Sequence, residues 1–111
     1  MKANQLTRGS KTRLMYVESK SGLIDGASAR IGWVTFSKSG RSVYYRGLSL
    51  VRANSGGLSG NFIDAESGDV YWVSGVKQSG SNTHPSERRI RVVVDEEAME
   101  AFNLLRSEAG A

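Results

Sequence analysis

Apolar and polar residues alternate along most of this chain with the two-residue period of β-strands. Residues 12–18 (TRLMYVE) form a short β-branched and aromatic run that predicts a first strand. Residues 30–36 (RIGWVTF) and 41–47 (RSVYYRG) predict a hairpin. Their connection, Ser37-Lys38-Ser39-Gly40, has the length and closing glycine of a loop built on a type I turn. Residues 48–52 extend that sheet as far as the glycine-rich loop 53–60 (ANSGGLSG). A second hairpin follows, with strands 61–65 (NFIDA) and 70–76 (VYWVSGV) around Glu66-Ser67-Gly68-Asp69. After a polar loop, residues 88–94 (RRIRVVV) predict a last strand with Ile90, Val92 and Val94 on one face.

The period then becomes helical over residues 95–108. Asp95 is placed to cap this helix, Glu96 and Glu97 complement its dipole, and Val94 is placed to staple onto Met99. Ala98, Phe102 and Leu105 share one stripe, and Met99, Phe102 and Leu105 are expected as core contacts. About three helical turns cannot stand alone, so the helix is expected to cover an end or face of the sheet. Five or six short strands and one C-terminal α-helix predict a mainly β fold. The first expectation is a small, strongly bent antiparallel sheet closed as an SH3-like or Tudor-like barrel; the second is an open sheet crossed by the helix. Residues 1–10 (MKANQLTRGS) lack periodicity and are expected as a flexible basic arm, with residues 11–109 as a single domain.

A chain of 111 residues has room for one small domain, and its 39% hydrophobic content suffices for a modest core. With no cysteine, disulfides, thiolate metal sites and cysteine nucleophiles are excluded. No apolar run approaches the ~20 residues of a membrane helix, and no signal-peptide core follows Met1, so a cytoplasmic protein without membrane partners is expected. The net charge of +4 is unevenly spread. Residues 1–20 and 21–60 each carry +4, residues 61–91 are balanced, and residues 92–111 carry −4. A basic first half facing an acidic tail fits an anion-binding surface, and equally a solvated chain whose ends attract.

Catalytic signatures are sparse. His84 is the only histidine, and it stands beside Pro85 in a polar loop where solvation accounts for it. Dinucleotide, phosphate-loop and nucleophile-elbow spacings are missing. Ser74-Gly75-Val76-Lys77 fits the serine-x-x-lysine spacing of acyl-transfer enzymes, but on a strand an offset of three puts the two side chains on opposite faces. Asp64, Glu66 and Asp69 lack the glycine and distal glutamate of a calcium loop and read as a charged hairpin turn. No metal, cofactor or catalytic residue is expected.

Aromatic residues fall on both faces of the predicted strands. Ile31, Trp33 and Thr35 alternate with Arg30, Gly32, Val34 and Phe36; Val43 and Tyr45 alternate with Ser42, Tyr44 and Arg46; and Tyr71 alternates with Trp72. Core filling and cross-strand pairing account for any one ring. A small barrel would nevertheless leave some of Trp33, Tyr44, Tyr71 and Trp72 partly exposed beside arginines. Rings interleaved with guanidinium groups suit base stacking and phosphate pairing, and equally a protein-binding hot spot. The candidate ligand-binding residues are therefore Arg30, Lys38, Arg41, Arg46 and Lys77 for phosphates, with Trp33, Tyr44 and Trp72 as stacking surfaces.

The segments RLMYVESKSGLIDGASARIGWVTFSKSGRSVYYRG, NFIDAESGDVYWVSGVK and VVVDEEA carry a resemblance. Over roughly residues 13–100 the chain resembles a family of small uncharacterised bacterial proteins. They share the Ala-Arg-Ile-Gly strand, the Phe-Ser-Lys-x-Gly turn, the Tyr-Tyr pair and Tyr-Trp-x-Ser-Gly-x-Lys; the loop 78–89 is the least family-like part. Some such proteins are labelled 1-deoxy-D-xylulose-5-phosphate synthase, which we reject here: those thiamine-diphosphate enzymes are several times longer, and no matching cofactor motif is present. The resemblance implies one compact domain and no established activity. A non-catalytic binding module is expected, with nucleic acid or a nucleotide as partner, or a protein partner held by the same rings.

Overall fold

The first strand is buried on both sides. In the computed structural model, which describes residues 11–53, 60–77 and 91–110, the run Tyr16–Val17–Glu18–Ser19 is buried without a break. Two separate apolar layers cause this, one on each face of the sheet.

The described residues form seven strands: β1 (Thr12–Ser19), β2 (Ala29–Phe36), β3 (Ser42–Tyr45), β4 (Leu48–Arg52), β5 (Phe62–Asp64), β6 (Val70–Gly75) and β7 (Val92–Val94). From β1 to β6 each strand pairs antiparallel with the next, and β6 pairs back onto β1, which closes a six-stranded barrel. The small barrel expected from the strand pattern is thus the observed architecture, as an up-and-down meander with no free edge among these six. Its interior holds Val17, Ile24, Val34, Val43, Tyr45, Leu50, Phe62, Tyr71 and Val73.

The seventh strand lies outside the meander. One edge of β2 is used by β1 along its length, so β3 and β7 share the other edge. β3 pairs at Thr35 and Phe36, whereas β7 runs parallel to β2 at Ala29–Ile31. A 3-10 turn (Glu96–Ala98) then leads into helix α1 (Met99–Gly110). Ala98 and Phe102 of this segment join Leu14, Tyr16, Ile31, Trp33, Trp72, Val92 and Val94 in one outward-facing layer. Leu105 is buried as expected. Met99 is not the expected core contact: it is 43% exposed, because the inward-facing stripe runs through Ala98, Phe102 and Leu105 and Met99 stands one residue off it.

Local features of the structure refine the reading of the sequence. Residues 41–47 are not one strand, since β3 ends at Tyr45 and Arg46-Gly47 forms a two-residue turn into β4. Both turn residues have positive φ (46° and 83°), the type I′ geometry that matches strand twist. Arginine is an unusual occupant of the first position, which hides the turn in the sequence. Asp25-Gly26 makes a second turn of this kind, at φ 46° and 86°, between Ile24 and Ala27. Finally, Asp95 precedes the helix with extended backbone but makes no side-chain capping bond, because its carboxylate is used elsewhere.

Candidate functional site

Alternation carries inward-facing positions beyond the apolar core at both ends of the barrel, and arginines stand at both. At the end holding the Asp25-Gly26 and Arg46-Gly47 turns, every described arginine is matched by carboxylate. Arg30 Nε donates to Asp95 Oδ1 at 2.8 Å, and its Nη1 donates to the carbonyls of Ile24 (3.2 Å) and Asp25 (2.9 Å). Arg46 pairs with Asp25 at 2.5 Å and with Asp95 at 3.5 Å. The Tyr45 hydroxyl donates to Asp95 Oδ2 at 2.5 Å. Burial first, and then this bond to a carboxylate, push the Tyr45 phenol far above its ordinary range. The Arg46 guanidinium holds the Asp25 carboxyl below its usual value.

Asp95 occupies the gap that β3 and β7 leave on the edge of β2. Its side chain is 1% exposed. A β-carbon at Gly32 would overlap both the Asp95 carboxylate and the Tyr45 ring, so glycine is required there by close approach. The Arg46 guanidinium bridges the two carboxylates from a residue held in the left-handed region, a conformation costing roughly 1–2 kcal/mol. Arg30 and Arg46, expected as phosphate contacts, are thus engaged in holding the barrel, β7 and the helix together.

The opposite end is different. The inward-facing series Val17–Met15 on β1 ends in Arg13, Tyr45–Val43 on β3 ends in Arg41, and Leu48–Leu50 on β4 ends in Arg52. These arginines line a concavity of about 540 Å³ together with Lys11, Phe36, Ser37, Lys38, Ser39 and Gly40. Among the described residues no carboxylate lines it, and none of its five cationic side chains has an acidic partner within 4 Å. The guanidinium of Arg13 lies 5.6 Å from the Phe36 ring centre and that of Arg52 lies 5.3 Å from that of Phe62. Arg52 N–H donates to Arg41 C=O at 2.8 Å, continuing the β3–β4 register by one pair. Arg41 and Arg52 are therefore direct cross-strand neighbours, an arrangement that destabilises when the charges are alike.

Of the residues expected from the sequence, only Lys38 and Arg41 line this mouth. Trp33 and Trp72 are half-buried in the outer layer, with Trp33 Nε1 donating to the Glu97 carbonyl at 3.1 Å. Tyr71 is buried inside the barrel, and Tyr44, 47% exposed on the outer face of β3, is the one exposed large ring among the described residues. Lys77 is exposed just after β6. Lys11, Arg13 and Arg52 escape a reading based on aromatic neighbours. Their signal is an alternating apolar series that ends, one step further on, in a cation.

The remaining motifs find structural roles. Ser74 lies on strand β6, and Asp64 Oδ1 accepts from the backbone of Glu66 and Ser67, as a hairpin turn requires. No metal-binding group of three or more ligands is found among the described residues, and no helix there is long and apolar enough to cross a membrane. His84 and the expected arm 1–10 lie outside the described residues. No protein-family model, curated protein or solved structure matches the chain.

Proposed function

We propose that this protein is a non-catalytic module that binds nucleic acid through the phosphates, using the cationic mouth of its barrel. The observation that carries the reading is the contrast between the two ends. Among the described residues the same fold supplies the buried Asp95 to Arg30 and Arg46, adds the exposed Asp25 beside Arg46, and supplies no carboxylate to Lys11, Arg13, Lys38, Arg41 and Arg52. Juxtaposed like charges cost stability in the free protein, and an anion in the mouth removes that cost while gaining charge-assisted hydrogen bonds. Lys38 and Arg41 keep the role expected of them, and Lys11, Arg13 and Arg52 join them. Trp33 and Trp72 belong to the outer layer and do not line the mouth, so contact here is with phosphate and not with bases stacked on them.

Fluorescence anisotropy with a labelled single-stranded oligonucleotide at low salt tests this reading. Binding is expected for the full chain and is expected to fall at least tenfold in Arg41→Glu and Arg52→Glu variants that keep the native circular dichroism spectrum. Absence of binding by the unaltered chain, or equal binding by folded variants, overturns it.

A further inference from the structure

We infer that the mouth recognises a terminal phosphate monoester of a nucleic-acid strand in preference to the diesters within it; this rests on the nucleic-acid reading above. The first support is convergence. Arg13, Arg41 and Arg52 stand at inward-facing ends of three strands, so their side chains bound one concavity instead of forming a track along an outer face. A strand running through a binding groove is ordinarily followed by a charged path with aromatic platforms beside it. Here the two tryptophans belong to the outer layer and line no part of the mouth, which offers charge gathered around one point.

The second support is the chemistry of the lining. The Phe36 ring lies beneath Arg13 and the Phe62 ring beneath Arg52, which limits where the guanidinium groups can spread. Ser37 Oγ accepts from Ser42 N–H at 3.1 Å and Ser39 Oγ accepts from Arg41 N–H at 3.3 Å. Each hydroxyl keeps its own hydrogen to donate to an anion. A monoester carries about −1.5 to −2 charges at pH 7 and three strong acceptor oxygens, whereas an internal diester carries one charge. Several guanidinium donors around one point favour the denser charge.

The test uses one single-stranded oligonucleotide labelled at its 3′ end and carrying either a phosphate or a hydroxyl at its 5′ end. A nucleoside 5′-monophosphate serves as competitor. At about pH 8 the phosphorylated strand is expected to bind about tenfold tighter than its hydroxyl counterpart and than the free monophosphate. The preference is expected to shrink to about threefold or less near pH 5, below the second phosphate ionisation at ~6. An Arg41→Gln, Arg52→Gln double variant is expected to lose the preference while remaining folded. Equal affinity of the two strands, or a preference that survives in the double variant, overturns the inference and leaves the broader reading standing. A free monophosphate binding as tightly as the phosphorylated strand overturns the strand-end assignment in favour of a nucleotide ligand. If neither strand binds at low salt, both readings fall together.

Discussion

Replacing Asp95 with asparagine removes one charge and almost no volume, so the loss isolates what that charge does. The carboxylate is 1% exposed and accepts from Arg30 Nε at 2.8 Å and from the Tyr45 hydroxyl at 2.5 Å, with Arg46 Nη1 at 3.5 Å. The Arg30 side chain is itself only 13% exposed, so it cannot recover full hydration when its partner is neutralised. Breaking a buried pair by removing one partner typically costs about 3–5 kcal/mol. An asparagine carbonyl still accepts one hydrogen bond, and Arg46 is partly solvated, which together bring the expectation to about 2–4 kcal/mol. For a domain of this size each kcal/mol moves Tm by roughly 4–8 °C, so Asp95→Asn should melt at least about 8 °C lower. Trp33 and Trp72 share the outer layer with the segment that Asp95 anchors, which makes tryptophan emission a suitable probe. A shift of less than about 2 °C would show that the Arg30–Asp95–Tyr45 cluster is not what holds β7 and the helix to the barrel.

Gly32→Ala should destabilise by about 3 kcal/mol in urea unfolding, as overpacking at this site drives the Asp95 carboxylate from its gap. The Tyr45 phenol titrates above its unfolded value, so its contribution to stability is complete below about pH 10 and is lost as pH rises further, when the unfolded chain ionises first. Urea midpoints measured from about pH 8 to 11 should therefore fall less steeply for Tyr45→Phe than for the unaltered chain. Arg41→Gln should raise the stability of the free protein by roughly 0.2–1 kcal/mol by relieving its opposition to Arg52; a loss of stability would mean that the two guanidinium groups do not repel.

Much of the fold is legible in the residue pattern because period-two alternation is strong over 30–36 and 70–76 and glycine marks the turns. The second apolar layer is less legible. Trp33 and Trp72 read as surplus rings until the helix stripe of Ala98 and Phe102 is set against them, and nothing local states that these segments meet. The fate of Asp95 is hidden for a related reason. Its sequence context is that of a helix cap, while its partners Arg30 and Tyr45 stand 65 and 50 residues away. The same long-range pairing separates two kinds of arginine that composition treats alike. Arg30 and Arg46 meet carboxylates only because two type I′ turns and the start of the helix converge; Arg13, Arg41 and Arg52, which close the other end of the barrel, meet none among the described residues.

The salt dependence of oligonucleotide binding tests the central claim most directly. With up to five cations at the mouth, log K is expected to fall linearly with log salt at a slope of roughly −2 to −3.5 for a single strand, and to become shallower by about 0.7 for each cation removed. Binding that persists with a slope near zero would contradict the account, because affinity would then come from apolar contact and not from phosphates gathered by Lys11, Arg13, Lys38, Arg41 and Arg52.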